Sequence, residues 1–290
     1  MAIVYGMVTT TKSSHYTVPA LRSFFQNTVL REGDRFILID NNGDFSLPGD
    51  LERVEIVRNS QPRSFAQNIN AAIGIAEPIG ADVIFPNNDI IFGPGWLGPL
   101  LERDDAILIP MCNQFRLYNY GGFALEPMMD LEQYLGHEAE FRAMVEAHQQ
   151  DFGPKKYLDA LHISFFCFRI PQRIYAAIGR FDEHFVGGGE DVDYRVRAHL
   201  AGFQVCMAAK SFLLHFMGKS TWRGAESNDE ARARTIAYYT YFCQKWGLDV
   251  AQVFLMVTNW REAVARTGVE ADINAGNYEA VIRRLLARRV

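Results

Sequence analysis

Two acidic segments, far apart in the chain, carry the side chains best suited to chemistry. The first, Asn-Asn-Asp at residues 87–89, follows the apolar run 82–86, and the second, Glu-Asp at residues 190–191, follows three glycines at 187–189. A carboxylate at the end of a strand can ligate a hard divalent cation such as Mg²⁺ or Mn²⁺. Another carboxylate can take a proton from a hydroxyl group, so the two segments could supply a metal ligand and a general base.

Asp89 is the candidate metal ligand of the first segment. The competing interpretation is a turn in which Asn and Asp side chains bond to their own backbone. Because this segment contains one carboxylate, a cation bound there needs further ligands, and His215, after the apolar run 212–214, is the candidate. A lone histidine beside apolar residues is also compatible with a buried structural role.

Glu190 and Asp191 are the candidate general base. Val192, Val196 and Leu200 recur at helical spacing, which predicts that a helix with one buried stripe begins here. The free N–H groups and the dipole of its first turn favour an ionised carboxylate, and the three glycines allow close approach and movement of the preceding loop. Helix capping is the alternative, but it accounts for one acid and not for the glycine run.

Apolar runs alternate with helix-like segments through the first part of the chain. This alternation, with short links, predicts an α/β fold built on a mostly parallel sheet with covered faces. The predicted strands cover residues 3–8, 36–39, 54–57, 83–85, 163–169 and 204–208, and the predicted helices cover 19–27, 64–76, 131–149, 231–246 and 278–289.

Polar residues follow the predicted parallel strands, where ligands bind in such sheets. Asp40 suits a base or a ribose hydroxyl, Arg58 suits a phosphate, and Thr9 ends the first strand. Asp40, Arg58 and Thr9 could thus bind a nucleotide, and Asn88 and Lys219 are predicted to contact the same ligand. Lys219 is included because a cation beside hydroxyl-bearing residues suits a diphosphate. Each of these residues, taken alone, is also compatible with a structural role.

Composition excludes several classes of protein. With 49% hydrophobic and 22% charged residues among 290, the chain is globular, and its net charge of −5 argues against a partner in nucleic acid. The four cysteines form no CxxC pair, which disfavours a zinc site. Neither a signal peptide nor an apolar run long enough to cross a bilayer is found, which predicts a cytoplasmic location.

The chain is predicted to divide into a catalytic domain at residues 1–222, with an acceptor-side insertion at 112–161, and a C-terminal helical extension at 223–290. Residues 281–289 form a basic, amphipathic stretch. Such a helix could contact anionic lipid headgroups at the inner face of a membrane. A solvated face or a dimer contact explains the same pattern.

These motifs together resemble glycosyltransferase family 2, whose members have the GT-A fold and transfer sugars with inversion. The resemblance extends from Ile3 to about Trp222. It rests on Val8-Thr9-Thr10, Ile39-Asp40-Asn41, Arg58-Asn59, the run Ser-Phe-Ala-Gln-Asn-Ile-Asn at 64–70, Pro-Asn-Asn-Asp at 86–89, Gly-Gly-Glu-Asp-Val-Asp at 188–193, and His215.

The resemblance assigns the donor-binding residues. It implies that Thr9, Asp40 and Arg58 hold the nucleoside of a UDP-, GDP- or dTDP-sugar, and that Asn70 lies on the helix that lines this pocket. It further implies a transferase that acts on a glycan or lipid-linked acceptor in the synthesis of surface polysaccharide or glycoconjugates.

The resemblance also assigns the catalytic residues. Asp89 stands at the last acid of the family's DxD motif, and His215 at its C-terminal ligand for Mg²⁺ or Mn²⁺. Asp191 stands at the acid that deprotonates the acceptor hydroxyl, with Glu190 beside it binding acceptor. The chain departs from the family at Asn87, where the family often has Asp, so the metal requirement stays open.

Two rival functions remain. A sugar-phosphate nucleotidyltransferase usually carries a Gly-rich signature with Arg and Lys after its first strand, and residues 8–11 (Val-Thr-Thr-Thr) lack it. A non-catalytic sugar-binding module on the same fold would not depend on Asp191.

Overall fold

The computed structural model describes residues 1–113, 129–151, 154, 156–216, 219, 227–255 and 259–289. The strands within these residues are β1 (Ile3–Thr9), β2 (Arg35–Asp40), β3 (Val54–Arg58), β4 (Asp82–Pro86), β5 (Ile90–Phe92), β6 (Ala106–Cys112), β7 (Tyr157–Leu158), β8 (Cys167–Ile170) and β9 (Gln204–His215). They form one sheet in the order β3-β2-β1-β4-β8-β6-β9-β5, with β7 paired to β9.

Helices pack around this sheet and beyond it. Those in the described residues are α1 (Ser14–Asn27), α2 (Phe65–Ala76), α3 (Leu131–Tyr134), α4 (Glu138–Asp151), α5 (Gln172–Ile178), α6 (Glu190–Leu200), α7 (Asn228–Trp246), α8 (Leu248–Phe254), α9 (Trp260–Thr267), α10 (Glu270–Asn274) and α11 (Tyr278–Leu286). The α/β class and the central sheet flanked by helices are therefore confirmed.

The first four strands are parallel neighbours, as predicted. The pairs β1–β2, β2–β3 and β1–β4 are parallel, and in this register Thr9 lies beside Asp40, which lies beside Arg58. The order reverses between β1 and β4, so a crevice forms beyond the carboxyl ends of these strands. The fold thus brings the polar strand ends to one edge.

The second half of the sheet is mixed. Strand β8 runs antiparallel to both β4 and β6, whereas β6 and β9 are parallel. Strand β5, which the alternating pattern does not predict, runs antiparallel to the end of β9 and places Ile90 opposite His215. That pairing, rather than a parallel connection, carries the second half of the site.

Several predicted element boundaries are wrong. Helix α1 begins at Ser14 and not at residue 19, and β9 ends at His215 and not at residue 208. Strand β8 begins at Cys167 and not at residue 163. The helix predicted over 131–149 is two helices, because Gly136 breaks it with a positive φ of 89°. Helix α11 ends at Leu286, short of residue 289. The boundary predicted at residues 222 and 223 lies outside the described residues.

A second apolar core joins α6 to the C-terminal helices. The buried stripe of α11, which includes Val281, Ile282 and Leu285, packs in this core. An interfacial helix needs a free apolar face to enter a bilayer, and this face is covered by the protein itself. The arginines of the same region also have internal partners, as Arg284 shows with Asp272 at 3.0 Å. The structure therefore gives no support to membrane contact through α11.

Within the described ranges, every helix is too short or too polar to span a bilayer.

Candidate active site

Asp89 and His215 meet where β4 leads into β5. Because β5 pairs with the end of β9, the side chains converge, with Asp89 Oδ1 and His215 Nε2 3.5 Å apart. The backbone N–H of Lys219 donates to Asp89 Oδ2 at 3.0 Å. Both side chains are buried, and Asn113 Oδ1 accepts from the backbone N–H of His215 at 2.8 Å.

The two groups stabilise each other's charge. Burial acts to lower the pKa of His215, but its interactions with Asp89 and with the Cys112 thiol together outweigh burial and raise the pKa to about 9. Burial likewise acts to raise the pKa of Asp89, yet His215 and the Lys219 N–H keep it below its ordinary value. Without a metal the pair is therefore an ion pair; a metal would take the place of the imidazolium proton.

The donor chemistry of this pair fits a divalent cation. A carboxylate oxygen and an imidazole nitrogen, both of which divalent cations accept as ligands, lie 3.5 Å apart. No cluster of three or more His, Cys, Asp or Glu side chains able to hold a metal occurs in the part of the chain that the structure describes. The pair would thus supply two protein ligands, with the remainder left for water and a bound diphosphate.

Glu190 and Asp191 occupy the first turn of α6, as predicted. Gly189 precedes them in the left-handed region, with φ 83°, a conformation that glycine adopts without strain. The Asp191 carboxylate accepts the N–H of Val192 at 2.9 Å and the N–H of Phe165, and its side chain is half-buried. Glu190 is 6% exposed, and its Oε2 accepts the N–H of Gly188 at 2.7 Å.

This pair of acids is poorly disposed to carry two charges. Burial, and then the neighbouring charge of Asp191, raise the pKa of Glu190 to about 7. Burial also raises the pKa of Asp191. Both acids therefore keep their proton to a higher pH than an exposed carboxyl group does.

The segment before β8 connects the two acidic regions. The N–H of Phe165 donates to Asp191, and the ring of the next residue, Phe166, stacks on His215 with centroids 4.8 Å apart. The carbonyl of Phe166 accepts the N–H of Asn87 at 2.7 Å. Asp191 and His215 therefore contact consecutive residues of one segment.

Asp40 is used within the protein. Its Oδ1 accepts the N–H of Gly43 at 2.8 Å, its Oδ2 accepts the N–H of Phe45 at 2.9 Å, and Arg58 donates to Oδ2. The Asp40 side chain has no exposed surface, whereas the Arg58 side chain is 49% exposed. Asp40 thus shapes the loop after β2, while Arg58 keeps a face open to a ligand.

Thr9 and Asn88 are likewise buried and hydrogen-bonded inside the protein. The hydroxyl of Thr9 lies 2.7 Å from that of Thr17 on α1. The Asn88 amide donates to Ser13 Oγ at 2.7 Å and to Thr17 Oγ1 at 2.9 Å. Both side chains fasten α1 to the sheet. The Thr9 hydroxyl could contact a nucleotide only if its bond to Thr17 broke, whereas Asn88 Oδ1 is buried with no hydrogen-bond partner among the described residues.

The side chain of Asn70 is also hydrogen-bonded inside the protein. Its Oδ1 accepts the N–H of Phe181 at 2.8 Å, and its Nδ2 donates to the carbonyl of Phe181 at 2.9 Å and to Glu183 at 2.8 Å. Asn70 therefore ties α2 to the loop that leads to the glycine run. Asparagine suits this role because it offers a donor and an acceptor together.

A cavity of about 350 Å³ opens beside the first two strands. It is lined by residues of the loops after β1 and β2, among them Asp44 and Phe45, and by the start of α1, including His15. Thr11 also lines it and donates to Asp44 at 2.9 Å. The volume lies in the range of small-molecule sites. Sequence reasoning missed these residues; the signal it offered was the strand-end rule itself, applied a few residues further into each loop.

Lys219 carries an exposed side chain beside Asp89, since its backbone N–H is bonded to that carboxylate. The neighbouring residues 217–218 and 220–222 of the predicted diphosphate-binding tail lie outside the described residues.

The strand order and the crevice beyond β1 and β4 define the fold as that of the GT-A glycosyltransferases. GalNAc-T7, solved with UDP, GalNAc and Mn²⁺, matches with a TM-score of 0.55 at 13% identity, over 94% of this chain but 57% of its own. S. aureus TarS matches with a TM-score of 0.52 at 11% identity, over 92% of this chain and 45% of its own. A TarS 1-349 structure with UDP-GlcNAc matches with a TM-score of 0.51 at 12% identity, over 99% of this chain and 90% of its own.

These identities are low, so the likeness establishes the fold. No protein-family model matches the chain, and no curated protein matches it in sequence.

Proposed function

We propose that the protein transfers a sugar from a nucleotide-sugar donor to an acceptor hydroxyl, as an inverting GT-A glycosyltransferase. The observation that carries this proposal is the convergence of Asp191 and His215 on the dipeptide Phe165–Phe166, with Asp89 paired to His215. In this proposal the Asp89–His215 pair and the half-buried Asp191 carboxylate, whose pKa is raised, face one cleft, as such a transfer requires.

Asp191 acts as the general base in this proposal. Its carboxylate takes the hydroxyl proton while the acceptor oxygen bonds to the anomeric carbon from the face opposite the diphosphate. The bond from that carbon to the diphosphate breaks, and one displacement inverts the configuration. Glu190, whose pKa is raised to about 7, contacts the acceptor.

Asp89 and His215 would hold Mg²⁺ or Mn²⁺, which offsets the negative charge that develops on the departing diphosphate. UDP and Mn²⁺ in the GalNAc-T7 structure, and UDP-GlcNAc in a TarS structure, support a nucleotide-sugar donor and a divalent ion. Lys219, whose backbone N–H is bonded to Asp89 and whose side chain is exposed, is the proposed cation for the diphosphate.

The cavity after β1 and β2 is the proposed nucleoside site. His15 and Phe45 offer ring surfaces there, and Asp44 offers an acceptor for hydroxyl or N–H groups. Arg58 adds a half-exposed guanidinium at the same edge of the sheet. Thr9, Asp40, Asn70 and Asn88 then act by shaping the loops and helices around this site.

A thermal-shift screen of UDP-, GDP- and dTDP-sugars, with and without Mn²⁺, tests the donor. We expect one nucleotide to raise the melting temperature, and Mn²⁺ to increase that rise in the wild type but not in Asp89→Asn. A turnover assay with the best donor should release nucleoside diphosphate. Release of pyrophosphate would instead indicate a nucleotidyltransferase, and binding without any release would indicate a non-catalytic module.

A further inference from the structure

Helix α7, in the C-terminal extension, lies directly on the glycine run. A Cβ atom at Gly188 would be 2.4 Å from Cε1 and 2.6 Å from Cδ1 of Tyr238. A Cβ atom at Gly187 would be 2.9 Å from Cδ of Arg234. Distances below 3.0 Å force something to move, so the space at both glycines is filled by α7.

Ion pairs hold α7 on both sides of this contact. Lys245 Nζ lies 2.5 Å from Asp182 Oδ2, before the glycines, and 2.7 Å from Asp193 Oδ1, after them. The indole N–H of Trp246 donates to Asp193 Oδ1 at 2.8 Å, and the hydroxyl of Tyr241 donates to Asp182 Oδ2 at 2.9 Å. The loop that carries the glycines is thus clamped at its two ends as well as at its centre.

The glycine run in turn holds the acid pair. The N–H of Gly188, under the Tyr238 ring, donates to Glu190 Oε2 at 2.7 Å. Arg234 donates to the carbonyl of Gly187, and its charge favours the ionised form of Glu190. A shift of Tyr238 or Arg234 would therefore move a hydrogen bond and a charge that act on Glu190.

We propose that Tyr238, Arg234 and Lys245 of α7 are positioning residues for the Glu190–Asp191 pair, and that Gly187 and Gly188 are glycines in order to receive α7. The acceptor hydroxyl is not the group that needs this space. The inference rests on the proposed function for its kinetic consequences, and on the contacts above for its structural ones.

A double-mutant cycle tests whether the glycines make room for α7 or for the acceptor. Gly188→Ala should lower kcat at least tenfold, because the methyl group collides with the Tyr238 ring, and Tyr238→Ala should lower kcat because the loop loses its support. In Gly188→Ala/Tyr238→Ala the collision is gone, so the double variant should be more active than the product of the single effects predicts. Gly49→Ala, where a Cβ meets nothing within 4 Å, is the matched control.

A positioning role should lower kcat while nucleotide affinity stays unchanged. Nucleotide affinity should stay within twofold of wild type in Tyr238→Ala, since the nucleoside cavity does not contact α7 residues. Tyr238→Phe keeps the ring and should behave as wild type. If the two substitutions lower kcat independently, the double variant will show the product of the single effects and no recovery. That result would overturn the proposal, because the space at Gly188 would then serve something other than Tyr238.

Hydrogen exchange supplies a readout that does not need turnover. In Tyr238→Ala the amides of residues 186–192 should exchange at least tenfold faster than in wild type or Tyr238→Phe. Unchanged exchange in this segment would overturn the positioning role, whether or not the protein transfers sugar. Absence of transfer by the wild type, with faster exchange in Tyr238→Ala, would instead contradict the proposed function alone.

Discussion

The proposed donor side of the cleft, at the loop after β2, and the proposed acceptor side, at the start of α6, hold their carboxylates in opposite ways. Asp40, on the donor side, is saturated by backbone N–H groups and by Arg58. Glu190 and Asp191, on the acceptor side, are held next to each other with raised pKa values. A carboxylate whose oxygens all accept internal hydrogen bonds stabilises a loop. An acid with a raised pKa is instead suited to proton transfer.

The largest expected effect falls on the acceptor side. Asp191→Asn should lower transfer by about 10²–10⁴-fold, because the amide cannot accept the hydroxyl proton. Nucleotide affinity, measured by calorimetry, should change little. Asp104→Asn, at an exposed aspartate far from these contacts, is the control. Retained turnover in Asp191→Asn would remove Asp191 from the role of base.

On the donor side, loss of a carboxylate should appear as loss of stability. Asp40→Asn should lower the free energy of unfolding by about 2–3 kcal/mol. The amide has one acceptor oxygen where the buried carboxylate has two, so it cannot accept from all three donors. Urea denaturation measures the change. Asp50→Asn, in an exposed pair with Arg22, should cost less than about 1 kcal/mol. Equal costs for the two variants would contradict the structural role of Asp40.

The same contrast shows what the sequence could provide. Apolar runs and turn residues predicted the parallel strands, and the helical spacing after Gly189 predicted α6 with its two acids in the first turn. A position at the end of a strand does not show whether a side chain contacts a ligand or stabilises a loop. Asp40 and Thr9 are of residue types that occur in both roles. Internal bonds decide that question, and they are visible only in three dimensions.

Long-range pairings were also beyond the sequence. The sheet was predicted to be mostly parallel, but Asp89 reaches His215 through the antiparallel pair β5–β9. Likewise, the glycine run indicated close approach of some group, yet only the folded chain identifies Tyr238 on α7 as the side chain that fills the space at Gly188.

Stability against pH sharpens the comparison on the acceptor side. The pKa of Glu190 is raised to about 7, so the folded state binds a proton that the unfolded state releases above its ordinary pKa of 4.5. Stability must therefore fall as the pH rises from about 5 to about 8. We expect Glu190→Gln to lose less stability over this range than wild type, by on the order of 2 kcal/mol. If stability, measured by urea denaturation, depends on pH in the same way in wild type and Glu190→Gln, the pKa of Glu190 is not raised in the folded state.

The smallest expected effect belongs to Thr9. Thr9→Val removes the hydroxyl that pairs with Thr17, and should lower the free energy of unfolding by about 1 kcal/mol. Donor affinity should change less than twofold, because the side chain is fully buried. A tenfold loss of affinity with unchanged stability would mean that Thr9 contacts the nucleotide after all.

The central claim is that one cleft holds the metal, the diphosphate and the base. The most direct test is a crystal structure with Mn²⁺ and the nucleoside diphosphate that raises the melting temperature most. We predict Mn²⁺ bound to Asp89 and His215, the nucleoside beside His15 and Phe45, and Asp191 facing the diphosphate across a space open to an acceptor. A nucleotide bound elsewhere, or a metal that contacts neither Asp89 nor His215, would contradict the account.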